Sequence, residues 1–173
     1  MPVSPRDLLL HALDEAYDRP AWHGPNLKSC VRRLPLTLAT WRPSPERKCI
    51  AEITLHTAYW KYTVRRRILQ EKRGGFVVRG SNWFALPDPF DDAAWRTYRR
   101  ILDDEHTQLR AAVSGLRIKE LDEIPTGSRS TYRQLVLGVA AHDVYHAGQI
   151  RYLRSLAPDD VTGAPRKAKQ ASK

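Results

Sequence analysis

The chain has 173 residues, of which 42% are hydrophobic and 28% charged, and its formal net charge is +10. This length fits one domain with its own hydrophobic core, and the composition is too apolar for a disordered chain. The longest nearly apolar stretch, residues 135–141, is far shorter than the roughly 20 residues that cross a bilayer, and we see no export signal. We therefore expect a cytoplasmic protein that does not enter membranes.

The first predicted helix covers residues 4–18, with Ser4 as its N-cap and Pro5 at the first helical position. Pro20, Gly24 and Pro25 interrupt it. Apolar spacing resumes at Asn26, which predicts either a bent first helix or a short helix packed against it, and a proline-rich turn follows.

The second long segment, residues 46–71, places its apolar side chains and one histidine at intervals of three and four residues. These positions are Cys49, Ile53, His56, Trp60, Val64 and Ile68. A link rich in glycine and proline, residues 72–89, separates it from a third helix predicted over 91–115. After another loop, the fourth helix is predicted over 130–156, and its inward stripe includes His142 and His146.

Four long amphipathic segments predict an all-α four-helix bundle. The long link between the second and third helices favours a crossover that leaves those two helices parallel. We expect the bundle to cover residues 1–156 and residues 157–173 to form a basic, flexible tail.

Histidine spacing is the main chemical signal. His142 and His146 are one helical turn apart, so both rings point the same way and can offer nitrogens to one ion. His56 lies on the inward stripe of the second helix and can supply a third ligand, which would leave an open coordination position. The alternative is that each ring is a hydrogen-bonded core residue, and the residues alone leave the two interpretations about evenly balanced.

Three blocks of the sequence resemble the DinB/YfiT-like superfamily. They are WHGPNL at residues 22–27, ITLHTAYW at 53–60 and HDVYHAGQI at 142–150. The resemblance runs from about residue 8 to residue 156, and residues 72–90 lie outside the recognisable blocks.

The resemblance implies an up-down-down-up four-helix bundle, often a homodimer, with one divalent metal ion held by His56, His142 and His146. Zinc, nickel and manganese all occur in the family. The implied activity is thiol-dependent S-transfer with a low-molecular-weight thiol such as bacillithiol, mycothiol or glutathione and a small-molecule electrophile.

Two polar residues are candidates for catalytic positions around the metal. Glu52 precedes His56 by one turn, and Gln149 follows His146 by about one turn, so we predict that both handle protons or orient the ligands. Trp60 is a candidate pocket wall. We expect Asp143 to lie either behind the site or at the surface.

The leading functional hypothesis is a metal-dependent S-transferase, and the nearest alternative is a metal-dependent hydrolase. A second class is a non-catalytic basic module that binds nucleic acid or an acidic partner. We consider nucleic acid the weaker candidate because the arginine clusters lie in separate segments without a recognisable binding motif. A purely structural bundle is the third possibility.

Overall fold

The computed structural model describes residues 3–162. Within that range the chain has seven α-helices, one 3-10 turn and no strand. The helices are α1 (Pro5–Tyr17), α2 (Leu27–Val31), α3 (Leu36–Thr40), α4 (Ile50–Ile68), α5 (Asp92–Ser114), α6 (Tyr132–Leu156) and α7 (Asp159–Thr162), and the 3-10 turn covers Ile118–Glu120. The all-α prediction is confirmed, and no helix of the described range is long and apolar enough to span a bilayer.

The four predicted long segments are α1, α4, α5 and α6, and local capping explains where they start. The Ser4 hydroxyl accepts a hydrogen bond from the backbone N–H of Asp7, and Asp91 caps α5 through the N–H of Ala94. Thr131 caps α6 through the N–H of Gln134. Helix α4 is shorter than the predicted segment 46–71. It begins only after its N-cap, Cys49, because the chain turns before that residue.

The stretch between α1 and α4 forms separate short helices. The Asn26 side chain caps α2 by accepting from the N–H of Ser29, after a turn in which Gly24 has a φ of +100°. The chain thus forms a short partner helix rather than a continuation of α1. The five-residue helix α3 lies where the sequence predicted a proline-rich turn.

The core consists of two hydrophobic clusters, one at each end of the long helices. One cluster contains the first half of α4 and of α5 and the second half of α6, packed with α2 and α3. The other contains the remaining halves of these three helices and most of α1. The polar side chains of the candidate site lie on α4 and α6, which pack against each other.

The predicted tail begins within the described range. Residues 159–162 form α7, and the Thr37 hydroxyl of α3 donates to the carbonyl of Val161. Residues 163–173 lie outside the described residues, and the division of the chain at residue 156 stays a prediction.

We expect the stability of the fold to decrease as the pH falls below about 6.5, in part through His106. This buried ring is stacked on Tyr17 and lies 3.4 Å from the Lys61 amine. Burial, with repulsion from Lys61, Lys28 and Arg110, lowers the pKa of His106 to about 2.

Since the unfolded chain then binds the additional proton, the free energy of unfolding decreases by up to about 1.4 kcal/mol per pH unit below a pKa near 6.5. Urea denaturation of the wild type and of His106→Gln between pH 7.5 and 5 measures how much of this pH dependence comes from His106. A variant with the same pH slope as the wild type would contradict the assignment.

Candidate metal centre

Three histidines from two helices converge at one point. The Nε2 atom of His142 lies 3.2 Å from Nε2 of His56 and 3.0 Å from Nε2 of His146. His56 comes from α4, and the other two come from successive turns of α6. Their ligand atoms lie within 4.8 Å of one another, which makes them a group that could hold a metal ion. The structure thus brings together the three histidines that the sequence predicted as ligands.

Hydrogen bonds at the opposite ring nitrogens determine two of the tautomers. His56 Nδ1 lies 2.9 Å from the backbone carbonyl of Asn82, and His146 Nδ1 lies 2.7 Å from Oε1 of Gln149. A carbonyl oxygen only accepts, so each Nδ1 carries the proton and donates it. Each Nε2 atom therefore presents a lone pair toward the shared point.

The buried rings are also in the protonation state that metals require. Burial lowers the pKa of His56, and burial together with the neighbouring histidines lowers the pKa of His142 to about 3 and that of His146 to about 4. The imidazoles are thus neutral at pH 7, and neutral imidazole is the ligating form. Nδ1 of His142 is buried and has no hydrogen-bond partner in the described part of the chain.

These observations fit a divalent cation. The Nε2 lone pairs of His56 and His146 both lie within 3.2 Å of Nε2 of His142, and one cation at the shared point would satisfy all three nitrogens. The Nδ1–H donors to Asn82 and Gln149 are the outer contacts that orient histidine ligands in metal sites. His56, His142 and His146 are the residues that would hold the ion.

The loop between α4 and α5 completes one side of the site. The Trp83 ring stacks on His56 with a centroid distance of 3.8 Å and an interplanar angle of 7°. The Asn82 side chain accepts from the Trp60 indole N–H, while its backbone carbonyl binds His56. Sequence reasoning missed Asn82 and Trp83, and the one available signal was a tryptophan in a loop otherwise rich in glycine and proline.

The two polar candidates around the metal site have different surroundings. Gln149 binds His146 through Oε1 and donates through Nε2 to the Tyr145 hydroxyl, so it lies where the sequence predicted. The buried carboxylate of Glu52 accepts from Arg42, Lys48 and the backbone N–H of Cys49. The structure gives Glu52 a capping role at the start of α4, whereas the sequence predicted a position beside the metal.

Behind the histidines lies a fully buried ion pair that the sequence did not reveal. The Lys61 amine of α4 donates to the carboxylate of Asp143 on α6, and both side chains have no exposed surface. Asp143 follows His142 directly in α6, so it lies behind the site, and the expected alternative of a surface position is wrong. The pair connects the two helices that carry the three histidines.

A cavity of about 1050 Å³ opens beside the histidines. Its apolar wall includes Ile53, Trp60, Trp83, Tyr152, Leu153 and Leu156. Charged groups lie in the segment before α4, where the Lys48 amine is 5.5 Å from the centre of the Trp83 ring. This volume is enough for a drug-sized organic molecule next to the three Nε2 atoms.

The fold and the site define an all-helical protein with a largely buried three-histidine cluster at a large, mainly apolar cavity. A family model described as the DinB superfamily matches residues 21–150, which include all three histidines. The chain belongs to the DinB superfamily. The comparisons with curated proteins and with solved structures give no match.

Proposed function

We propose that the protein is a divalent-metal-dependent enzyme that transfers a low-molecular-weight thiol to an electrophilic small molecule. The observation that carries this proposal is the convergence of three neutral imidazole nitrogens at the edge of a cavity large enough for both reactants. A divalent ion bound there supplies Lewis acidity and lowers the pKa of a thiol or water that it binds.

The nature of the ligands narrows the choice of metal. Imidazole nitrogens suit zinc and nickel, whereas manganese prefers oxygen ligands. The described part of the chain brings no carboxylate into this ligand group. Zinc and nickel are therefore the leading candidates, and manganese is the weakest of the three.

The thiol has to come from a co-substrate. The two cysteines, Cys30 and Cys49, are both buried, and burial raises the pKa of each thiol. Neither cysteine lines the cavity beside the histidines. In the proposed reaction the co-substrate sulfur forms a bond to the electrophilic atom, the leaving group departs with its electron pair, and the thiol proton is released.

In this proposal, residues of the chain itself orient the histidine rings and bind the reactants. The Asn82 carbonyl and the Gln149 side chain hold the rings of His56 and His146 with their lone pairs directed to the shared point. Trp83 covers one face of His56, and the apolar wall offers a contact surface to an apolar electrophile. Metal-dependent hydrolysis is the second candidate, because the same cavity admits water as the nucleophile.

We also infer the helix directions from the two core clusters. The first halves of α4 and α5 share one cluster with the second half of α6, and the order is reversed in the other cluster. This distribution supports parallel α4 and α5, with α1 and α6 running the opposite way, which is an up-down-down-up bundle. We further propose that the protein is a homodimer located in the cytoplasm.

Metal analysis with a thiol-transfer assay tests the function. We expect about one zinc or nickel ion per chain, and product formation from an electrophile such as chlorodinitrobenzene faster than the uncatalysed reaction only when metal and one of bacillithiol, mycothiol or glutathione are present. Product formation without thiol would indicate the hydrolase instead. If metal-free protein and protein incubated with zinc or nickel have the same stability, both the S-transferase and the hydrolase proposals are contradicted. An ion bound to the native state would raise stability.

A further inference from the structure

A second cavity, of about 650 Å³, lies between the later turns of α4 and the loop that follows it. Trp60 lines both cavities, but none of the three histidines lines this one. Four arginines line it: Arg66, Arg67, Arg73 and Arg79. We call it the arginine cavity.

The charge of the arginine cavity is not balanced within the described chain. Its lining includes no aspartate or glutamate, and none of the four arginines forms a salt bridge within residues 3–162. The neighbouring Arg65, in contrast, binds both Glu71 and Glu105. Four guanidinium groups around one cavity repel each other, and a bound anion would relieve that repulsion.

Arg67 shows an unused donor directly. Its Nε atom is buried and has no hydrogen-bond partner in the described residues. Among residues 3–162, the Arg66 side chain donates only to the backbone carbonyl of Glu71, which carries no net charge. Guanidinium groups with free N–H donors match the oxygens of phosphate in geometry as well as in charge.

Aromatic rings form the rest of the wall. The Phe76 ring lies 5.4 Å from the rings of Tyr59 and Tyr62, and all three line the cavity. The Tyr62 hydroxyl accepts from the backbone N–H of Gly75, which attaches the loop to α4. Flat apolar groups pack well against such rings.

We propose that the arginine cavity binds a small organic anion that combines one or more phosphate groups with a flat apolar moiety. The phosphates contact the four arginines, and the flat moiety packs against the aromatic wall. The volume falls within the range of sites for small molecules and cofactors. This site uses none of the metal ligands, so it goes beyond the proposed S-transferase function and does not depend on it.

Calorimetric titration of the full chain with ATP and with inorganic tripolyphosphate tests the proposal. The protein is first freed of metal, so that phosphate cannot bind through an ion at the histidines. We expect saturable binding of one ATP per chain with a micromolar dissociation constant, and tripolyphosphate at least tenfold weaker because it lacks the flat base.

The main variant is the double substitution Arg73→Gln and Arg79→Gln. Both arginines are exposed and have no hydrogen bond in the described chain, so the fold should be unaffected. We expect at least tenfold weaker ATP binding. Arg67→Gln tests the buried donor separately, and Arg33→Gln is the matched control, because Arg33 is exposed and lines neither cavity.

Three results would overturn the proposal. The first is no saturable ATP binding up to millimolar concentration. The second is an equal loss of affinity in Arg33→Gln, which would indicate attraction by net charge alone. The third is tighter binding of a 15-nucleotide single strand than of ATP, which would make the arginines a nucleic-acid surface.

Discussion

Replacing His142 with alanine should abolish stoichiometric metal binding. Its Nε2 atom lies within 3.2 Å of Nε2 of both other histidines, so its loss leaves only two imidazole nitrogens at the shared point. We expect the metal content after dialysis to fall from about one ion per chain to near zero, as measured by mass spectrometry. A full complement of metal in this variant would refute the three-histidine site.

The loss of metal binding in His142→Ala should also remove the stabilisation of the protein by added metal. An ion bound to the native state at a hundred times its dissociation constant raises the free energy of unfolding by about 2.7 kcal/mol. Added zinc or nickel should raise the melting temperature of the wild type but not that of His142→Ala. This comparison does not depend on knowing the substrate.

Two further variants serve as comparisons for the metal content of His142→Ala. His11→Ala is the matched control, since His11 is exposed on α1 and binds only Glu15 in the described chain, and it should retain its metal. Gln149→Leu keeps all three ligands but removes the acceptor for the Nδ1 proton of His146, so metal affinity should fall about ten- to hundredfold. Unchanged affinity would show that Gln149 does not orient His146.

Replacing Lys61 with methionine should destabilise the protein by about 3–5 kcal/mol, because it leaves the Asp143 carboxylate buried without its cation. Neither side chain has any exposed surface, so water cannot replace the lost partner. Urea denaturation of metal-free protein measures this cost separately from metal binding.

The double substitution Lys61→Met with Asp143→Leu should recover most of that loss, because neither charge of the pair is then left buried without its partner. Arg133→Met, which breaks the ion pair with Asp122, is the surface control and should cost less than about 1 kcal/mol. A cost below 1 kcal/mol for Lys61→Met as well would show that Asp143 has another partner or is solvated.

The long helices and the inward-facing positions of the three histidines were predictable because they depend on local rules. The side chains of His142 and His146 point the same way on any regular helix, and capping residues such as Ser4, Asp91 and Thr131 mark helix starts. The inward stripe of α4 included His56 for the same reason. Periodicity therefore identified these three histidines as inward-facing.

The parts of the site that depend on distant contacts could not be predicted. Nothing in the local sequence indicates that Lys61 pairs with Asp143, because the two residues come together only where α6 packs against α4. Glu52 was predicted beside the metal from its spacing to His56, but Arg42 and Lys48 hold its carboxylate at the N-terminus of α4. The ion pairs with Arg42 and Lys48 decided the position of this side chain.

Local periodicity and capping thus determined that the chain is all-helical and that His56, His142 and His146 face inward, because both properties repeat along a single helix. Only the tertiary structure decided that the three histidines meet at one point, that Asn82 and Trp83 contact His56, and that four arginines surround a second cavity. The course of a long loop and the register between two helices follow from packing across the whole fold, which no short stretch of sequence specifies.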